Sequence, residues 1–122
     1  MTAKKILVVD DDPYILMSLE FLLQKNNYHV IVARNGREAL ELVKQERPDL
    51  VILDIMMPDV DGFAIARSIK QDPLIKNTKI VFLSAKSRES DQKKGMELGA
   101  ALYIIKPFST RSLIKEINQL LE

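Results

Sequence analysis

The sequence predicts an α/β fold in which five parallel strands form a doubly wound sheet, in the order 2-1-3-4-5, with helices on both faces. The first indication is that short, almost wholly apolar runs alternate with segments whose apolar residues recur at helical spacing. The second is that acidic residues directly follow the first and third apolar runs. In an open sheet of this order those two strands lie side by side where the strand order reverses, and such sheets bind ligands there.

The five predicted strands are continuous apolar runs. They begin near Ile6, His29, Leu50, Lys79 and Leu102. A strand that is apolar on both faces must be covered on both faces, which the intervening helices can do. Right-handed connections then determine most of the topology.

The first predicted helix has a well-marked start. Asp12 is placed to cap it, and Pro13 occupies the first turn, where a missing N–H costs nothing. The helix ends at Asn26-Asn27, and one face carries Ile15, Leu16, Leu19, Leu22 and Leu23.

The second and third helices are predicted from the same signals. The second runs from about Gly36 to Gln45 behind Asn35 as cap, and its apolar residues are Ala39, Leu40 and Val43. The third begins around Asp61, where Asp59 and Asp61 are typical of turn and N-cap residues. Its apolar residues are Phe63, Ile65, Ala66 and Ile69.

The last two helices differ in their apolar content. The fourth, roughly Ser87 to Leu98, has only Met96 and Leu98 as clear apolar anchors, so we expect its packing to be the weakest of the five. The fifth follows Ser109 as cap, and its apolar residues are Leu113, Ile114, Ile117, Leu120 and Leu121.

Composition excludes several classes of function. The chain has 122 residues, enough for one core, so we expect residues 1–122 to form a single domain. A net charge of +1 gives no electrostatic basis for direct nucleic-acid binding. The absence of cysteine excludes thiol catalysis and cysteine-ligated zinc, and a single histidine makes a Ser-His-Asp triad hard to build. We find no signal sequence and no membrane-spanning run, and we expect a cytoplasmic protein with no membrane partner.

Charged residues mark the predicted carboxyl edge of the sheet. Asp10 and Asp11 follow the first strand, Asp54 follows the third, and Lys106 follows the fifth. Converging carboxylates repel one another, so this arrangement indicates a cation-binding site. Helix capping is a weaker explanation for Asp10 and Asp11, because Asp12 already supplies the cap.

Five segments of the chain resemble the receiver domain of two-component response regulators, and the single-domain chemotaxis regulators in particular. They are Lys5–Pro13 (KILVVDDDP), Leu53–Gly62 (LDIMMPDVDG), Leu83–Lys86 (LSAK), Gly99–Ala100 (GA) and Tyr103–Phe108 (YIIKPF). Separated motifs in the right order are far more specific than any short motif alone. The resemblance implies the flavodoxin-like (βα)5 fold.

The resemblance also implies a phosphoryl-transfer site. Asp54 would accept a phosphoryl group from a phosphohistidine of a histidine kinase or a histidine phosphotransfer protein. Mg²⁺ would be held by Asp11, Asp54 and the backbone carbonyl of Met56, with Asp10 acting mainly through a metal-bound water. Lys106 would pair with a phosphoryl oxygen and, before phosphorylation, with Asp54.

The same resemblance implies a conformational switch. Ser84 would hydrogen-bond a phosphoryl oxygen, and Tyr103 would change rotamer in response. The switched surface would comprise the fourth helix, the fifth strand and the fifth helix, and it would control a downstream protein target or a missing output domain. A phosphorylation-dependent homodimer is a further possible partner. The Lys106-Pro107 peptide bond is expected to be cis.

Other functions that use a similar fold fit less well. A haloacid-dehalogenase-type phosphatase needs a second carboxylate two residues after its nucleophile, and Met56 stands there. A flavodoxin-like binding module cradles phosphate in a hydroxyl- and glycine-rich loop, whereas the loop after the first strand is Asp-Asp-Asp-Pro. The main alternative is a degenerate receiver that serves only as an interaction scaffold.

Overall fold

The computed structural model describes residues 3–122, and its five strands and five helices alternate along the chain. The strands are β1 (Lys5–Val9), β2 (His29–Ala33), β3 (Leu50–Leu53), β4 (Lys79–Ser84) and β5 (Leu102–Ile105). The helices are α1 (Pro13–Lys25), α2 (Gly36–Glu46), α3 (Gly62–Gln71), α4 (Glu89–Glu97) and α5 (Thr110–Leu121). All strand pairs are parallel and the order is β2-β1-β3-β4-β5, so the predicted fold class is confirmed.

Two apolar clusters cover the two faces of the sheet. Successive strand residues alternate between them, so that Leu7 belongs to one cluster and Ile6 to the other. Helices α2 and α3 pack on the first face, and α1 and α5 pack on the second. The helices thereby cover both faces of the strands, whose apolar residues on both faces led to the predicted fold.

The predicted N-caps of four helices are confirmed. Each cap side chain accepts a hydrogen bond from a backbone N–H in the first turn of its helix, and the caps are Asp12, Asn35, Asp61 and Ser109. In the described residues, 3–122, we find no helix with the length and apolar content needed to cross a bilayer.

Helix α4 differs from its prediction. It begins at Glu89, two residues later than expected, and the residue before it, Arg88, makes no side-chain cap. Met96 is not an anchor, because 47% of its surface is exposed, whereas Gly95 is the one buried residue of the helix. A glycine can approach the sheet closely because it has no side chain. A prediction based on the positions of apolar side chains could not identify such a contact.

Candidate functional site

The carboxylates predicted to converge do so at the carboxyl edge of the sheet. Strands β1 and β3 are neighbours with Val9 opposite Leu53, and this register places Asp10, Asp11 and Asp54 together just beyond the strand ends. One carboxylate oxygen of each lies within 4.8 Å of the others. Backbone bonds extend the pairing to the site, since the Asp54 N–H donates to the carbonyl of Val9 at 3.0 Å.

The three acidic residues differ in burial. Asp10 and Asp54 are only 2% and 6% exposed, whereas Asp11 is exposed. Asp10 Oδ1 accepts from the N–H of Asp12 at 2.9 Å, and Asp54 Oδ1 accepts from the N–H of Ile55 at 2.9 Å. Asp11 is therefore the most accessible carboxylate of the group.

The electrostatics of the cluster disfavour the ionised form of Asp54. Burial raises the pKa of Asp54, and the Asp10 carboxylate raises it further, to about 6, against the opposing effect of the Lys106 ammonium. A bound cation would relieve this repulsion, and the oxygen-only donor set suits a hard cation such as Mg²⁺. The residues present therefore fit the metal that the sequence suggested.

Lys106 supplies the positive charge of the site. Its Nζ lies 2.9 Å from Asp10 Oδ2 and 3.7 Å from Asp54 Oδ1. The hydrogen-bonded partner is thus Asp10, while Asp54, the partner expected from the sequence, lies at the longer ion-pair distance. Burial lowers the pKa of Lys106, but the hydrogen bond to Asp10 and the charge of Asp54 outweigh it, so the pKa is raised. The Lys106-Pro107 bond is cis, as predicted.

Ser84 and Tyr103 both bind the main chain of Lys86. Ser84, the fully buried last residue of β4, accepts from the Lys86 N–H at 3.1 Å through its hydroxyl oxygen. The Tyr103 hydroxyl donates to the Lys86 carbonyl at 2.8 Å. The two predicted switch residues therefore hold the same residue of the β4–α4 loop, through the two peptide groups on either side of it. The sequence carried no signal for this contact because it involves only the backbone of Lys86.

The loop between β3 and α3 forms another side of the site. The side chains of Ile55 and Met57 are buried in the core, while that of Met56 is 61% exposed. The Gly62 N–H donates to the Ile55 carbonyl at 2.8 Å and closes the loop. An open groove of about 530 Å³ lies beside Asp11, and residues of this loop and of α4 line it, among them Met56 and Lys94.

Sequence comparison assigns the chain to a family. A model of the family described as "Response regulator receiver domain" matches residues 6–118, nearly the whole chain. The chain belongs to the response regulator receiver domain family.

Individual relatives agree with this assignment. The receiver domain is 42% identical over 118 residues to the "Alkaline phosphatase synthesis transcriptional regulatory protein PhoP" of Bacillus subtilis (strain 168); the match covers 97% of this chain and 48% of the relative. The chain thus spans about half the length of that protein.

Solved structures show the same fold. The chemotaxis response regulator CheY4 of Vibrio cholerae is 31% identical, with a TM-score of 0.91 and coverage of 98% of this chain and 99% of that one. The BeF3-activated N-terminal receiver domain of RstA from Klebsiella pneumoniae is 32% identical, with a TM-score of 0.89 and coverage of 98% and 99%. As a receiver domain, this chain acts in phosphorylation-activated two-component signal transduction.

Proposed function

We propose that Asp54 is the phosphoacceptor of this receiver domain and takes its phosphoryl group from a phosphohistidine of a histidine kinase or histidine phosphotransfer protein. One observation carries the proposal: Asp54 is a buried carboxylate at the carboxyl edge of the sheet, with the ammonium of Lys106 at 3.7 Å and carboxylate oxygens of Asp10 and Asp11 within 4.8 Å. Burying several charged groups together lowers stability, so their presence indicates a function. A carboxylate nucleophile that reacts with an anionic phosphoryl group needs such positioned charges.

The nucleophile is the ionised form of Asp54. In the transfer, an Asp54 carboxylate oxygen forms the new O–P bond while the N–P bond of the donor breaks, and the electron pair of that bond remains on the imidazole nitrogen. Asp54 Oδ1 already accepts from the Ile55 N–H and faces Lys106. We therefore assign the attack to Oδ2.

The chain has the residues to hold Mg²⁺ beside this nucleophile. We propose Asp11, Asp54 and the carbonyl of Met56 as direct ligands, with Asp10 acting through a water molecule. Bound Mg²⁺ would supply positive charge that offsets the repulsion between the carboxylates and the incoming phosphoryl group.

Three other side chains have proposed roles around the phosphoryl group. Lys106 pairs with one phosphoryl oxygen, which would require its ammonium to leave Asp10 Oδ2 or to share it. The Ser84 hydroxyl accepts from Lys86, so its own proton can be donated to a second phosphoryl oxygen. That movement would pull on Lys86 and release the hydroxyl of Tyr103, which binds the carbonyl of the same residue.

The proposed outcome is a change in the surface formed by α4, β5 and α5. This surface would control a downstream protein partner or an output domain elsewhere in the protein, with phosphorylation-dependent homodimerisation as one form of that control. We further propose that residues 1–122 form a single receiver domain that lies in the cytoplasm with its kinase.

Intact-mass measurement after incubation with a small acyl phosphate and Mg²⁺ tests the proposal. We expect wild type to gain the mass of one PO₃ group and Asp54→Ala to gain none. Asp12→Asn is the matched control, because Asp12 is an acidic neighbour whose capping role an asparagine retains. If wild type gains no mass, or Asp54→Ala gains as much, the proposal is wrong and a phosphorylation-independent scaffold becomes the better reading.

A further inference from the structure

The β3–α3 loop is tied to a helix that otherwise has no part in the site. The two carboxylate oxygens of Asp59 accept hydrogen bonds from the first two backbone N–H groups of α2: Gly36 N to Oδ1 at 2.9 Å and Arg37 N to Oδ2 at 3.0 Å. The third N–H, of Glu38, is satisfied by the helix's own cap, Asn35, at 2.9 Å. Asp59 thus completes the N-terminus of α2 from a distant part of the chain.

Several physical effects favour this tie. A helix N-terminus carries partial positive charge and N–H donors without partners in the helix. A carboxylate is attracted to that charge and accepts hydrogen bonds from those donors. The hydrogen bonds from Gly36 and Arg37 lower the pKa of Asp59, so the side chain stays ionised at neutral pH. The contact is also close, because a Cβ on Gly36 would lie 2.6 Å from the Cβ of Val60. The start of α2 therefore rests directly against the residue after Asp59.

The tie acts on a segment that is already held at its other end. Ile55 and Met57 are buried, and the Gly62 N–H bonds the Ile55 carbonyl at 2.8 Å. The Met56 peptide lies within this closed loop, and its side chain makes little contact that could hold it, being 61% exposed. The position of the Met56 carbonyl is therefore set by its neighbours in the loop.

We propose that Asp59 is a positioning residue that holds the β3–α3 loop against α2 and thereby places the Met56 carbonyl for Mg²⁺. This inference rests on the proposed function, because Met56 is one of the ligands assigned there. Asp59 would not touch the metal. Its loss would loosen one ligand of the site and leave Asp10, Asp11 and Asp54 in place.

Asp59→Ala and Asp61→Ala form a matched pair of variants. Both remove one negative charge from the same loop, and both remove a helix cap, since Asp61 Oδ1 accepts from Ala64 N of α3 at 2.9 Å. Asp61 lines the groove beside Asp11, so a purely electrostatic effect on the metal should be at least as large for Asp61→Ala. A positioning effect should appear in Asp59→Ala.

Two measurements on the full chain decide the question. In a Mg²⁺ titration followed by ¹H–¹⁵N spectra, we expect Asp59→Ala to weaken Mg²⁺ binding about tenfold and Asp61→Ala to change it by less than about threefold. Asp59→Asn, which keeps one acceptor oxygen, should fall between wild type and Asp59→Ala. In the metal-free protein, amide exchange of Met56 and Met57 should be faster in Asp59→Ala than in Asp61→Ala.

The outcomes separate this inference from the proposed function. Equal Mg²⁺ affinity in wild type and Asp59→Ala, or an equal loss in Asp61→Ala, overturns the positioning role. If wild type itself binds no Mg²⁺, the proposed metal site fails, and the amide exchange alone decides whether Asp59 orders the loop. Unchanged exchange at Met56 and Met57 would then count against Asp59 as well.

Discussion

The β3–α3 loop and helix α4 line the same groove beside the acidic cluster, yet they are held in very different ways. The loop buries Ile55 and Met57, closes on itself through Gly62, and binds the start of α2 through Asp59. Helix α4 buries only Gly95 and lacks a side-chain cap. The loop is fixed by buried side chains and by hydrogen bonds to two other parts of the chain, whereas α4 buries only one glycine against the sheet.

This difference indicates how one site can combine accurate positioning with movement. A phosphoacceptor and its metal ligands require fixed geometry, because small displacements are costly in catalysis. A switch requires an element whose alternative positions differ by little free energy, and sparsely buried elements meet that requirement. Under the proposed function, these contacts suit the β3–α3 loop to the first task and α4 to the second.

Glycine-to-alanine substitutions should give the largest contrast between the two elements. A Cβ on Gly62 would lie 2.3 Å from the Asp54 carbonyl oxygen and 2.8 Å from the Ile55 Cα. These are backbone atoms that cannot move away without displacing Asp54. We expect Gly62→Ala to lower the free energy of unfolding by about 3 kcal/mol, measured by urea denaturation.

Gly95→Ala is the counterpart on α4. Its Cβ would meet ring atoms of Phe82 and Tyr103, the nearest at 3.0 Å, and α4 can shift outward to relieve the contact. Alanine also favours a helix by about 0.5–1 kcal/mol over glycine, so the net change should stay within about 1 kcal/mol. Losses of equal size in the two variants would contradict the contrast between a fixed loop and a loosely held helix.

The ionisation of Asp54 should affect the free energy of unfolding. Its folded-state pKa is raised to about 6, so the ionised carboxylate opposes folding above that pH. In metal-free buffer at pH 7.5 we expect Asp54→Asn to be more stable than wild type by about 1–2 kcal/mol, a value reduced for solvent screening at the open side of the site.

The pH dependence gives the sign of this effect. As the pH falls through 6, folded wild type binds a proton that the unfolded chain does not bind until about pH 4, so wild type gains stability relative to the variant. The difference in unfolding free energy should therefore vanish by about pH 4. A difference that is independent of pH would mean that the effect does not come from the Asp54 charge.

Much of this architecture could be predicted because it depends on local patterns. Apolar runs identified the strands, and capping residues such as Asn35 and Ser109 identified helix starts. The meeting of Asp10, Asp11 and Asp54 followed from topology, since parallel strands end at one edge. Each of these inferences needed only nearby residues and a general rule.

The remaining features depend on contacts between distant residues. Asp59 reads as a turn residue in the sequence, and its partners on α2 lie 22 and 23 residues away. Several acidic residues lie within reach of Lys106, and only the side-chain geometry shows that its ammonium hydrogen-bonds Asp10 and not Asp54. Gly95 anchors α4 through the absence of a side chain, which no apolar pattern records.

Removing the Tyr103 hydroxyl should loosen α4 without disturbing the β3–α3 loop. Tyr103→Phe loses the donor to the Lys86 carbonyl, and we expect a loss of about 1 kcal/mol in unfolding free energy. Tyr28→Phe is the matched control, because the Tyr28 hydroxyl bonds Asn118 at a place remote from α4. Amide exchange should quicken across α4 only in Tyr103→Phe. Equal exchange in the two variants would remove Tyr103 as a restraint on the helix.

The smallest expected effect concerns a charged side chain of α4 that contacts α3. Lys94 Nζ lies 4.6 Å from the centroid of the Phe63 ring, a cation–π geometry at an exposed position. We expect Lys94→Gln to lower the unfolding free energy by about 0.5 kcal/mol, and the adjacent Lys93→Gln to leave it unchanged.

A double-mutant cycle with Phe63→Leu isolates this pair, since the coupling between Lys94 and Phe63 should account for most of the single-site loss. Zero coupling, or the same loss in Lys93→Gln, would show that the ring contact does not restrain α4. In that case the Gly95 packing and the Tyr103 hydrogen bond would be the contacts left to hold the helix, and α4 would be still easier to displace than the structure indicates.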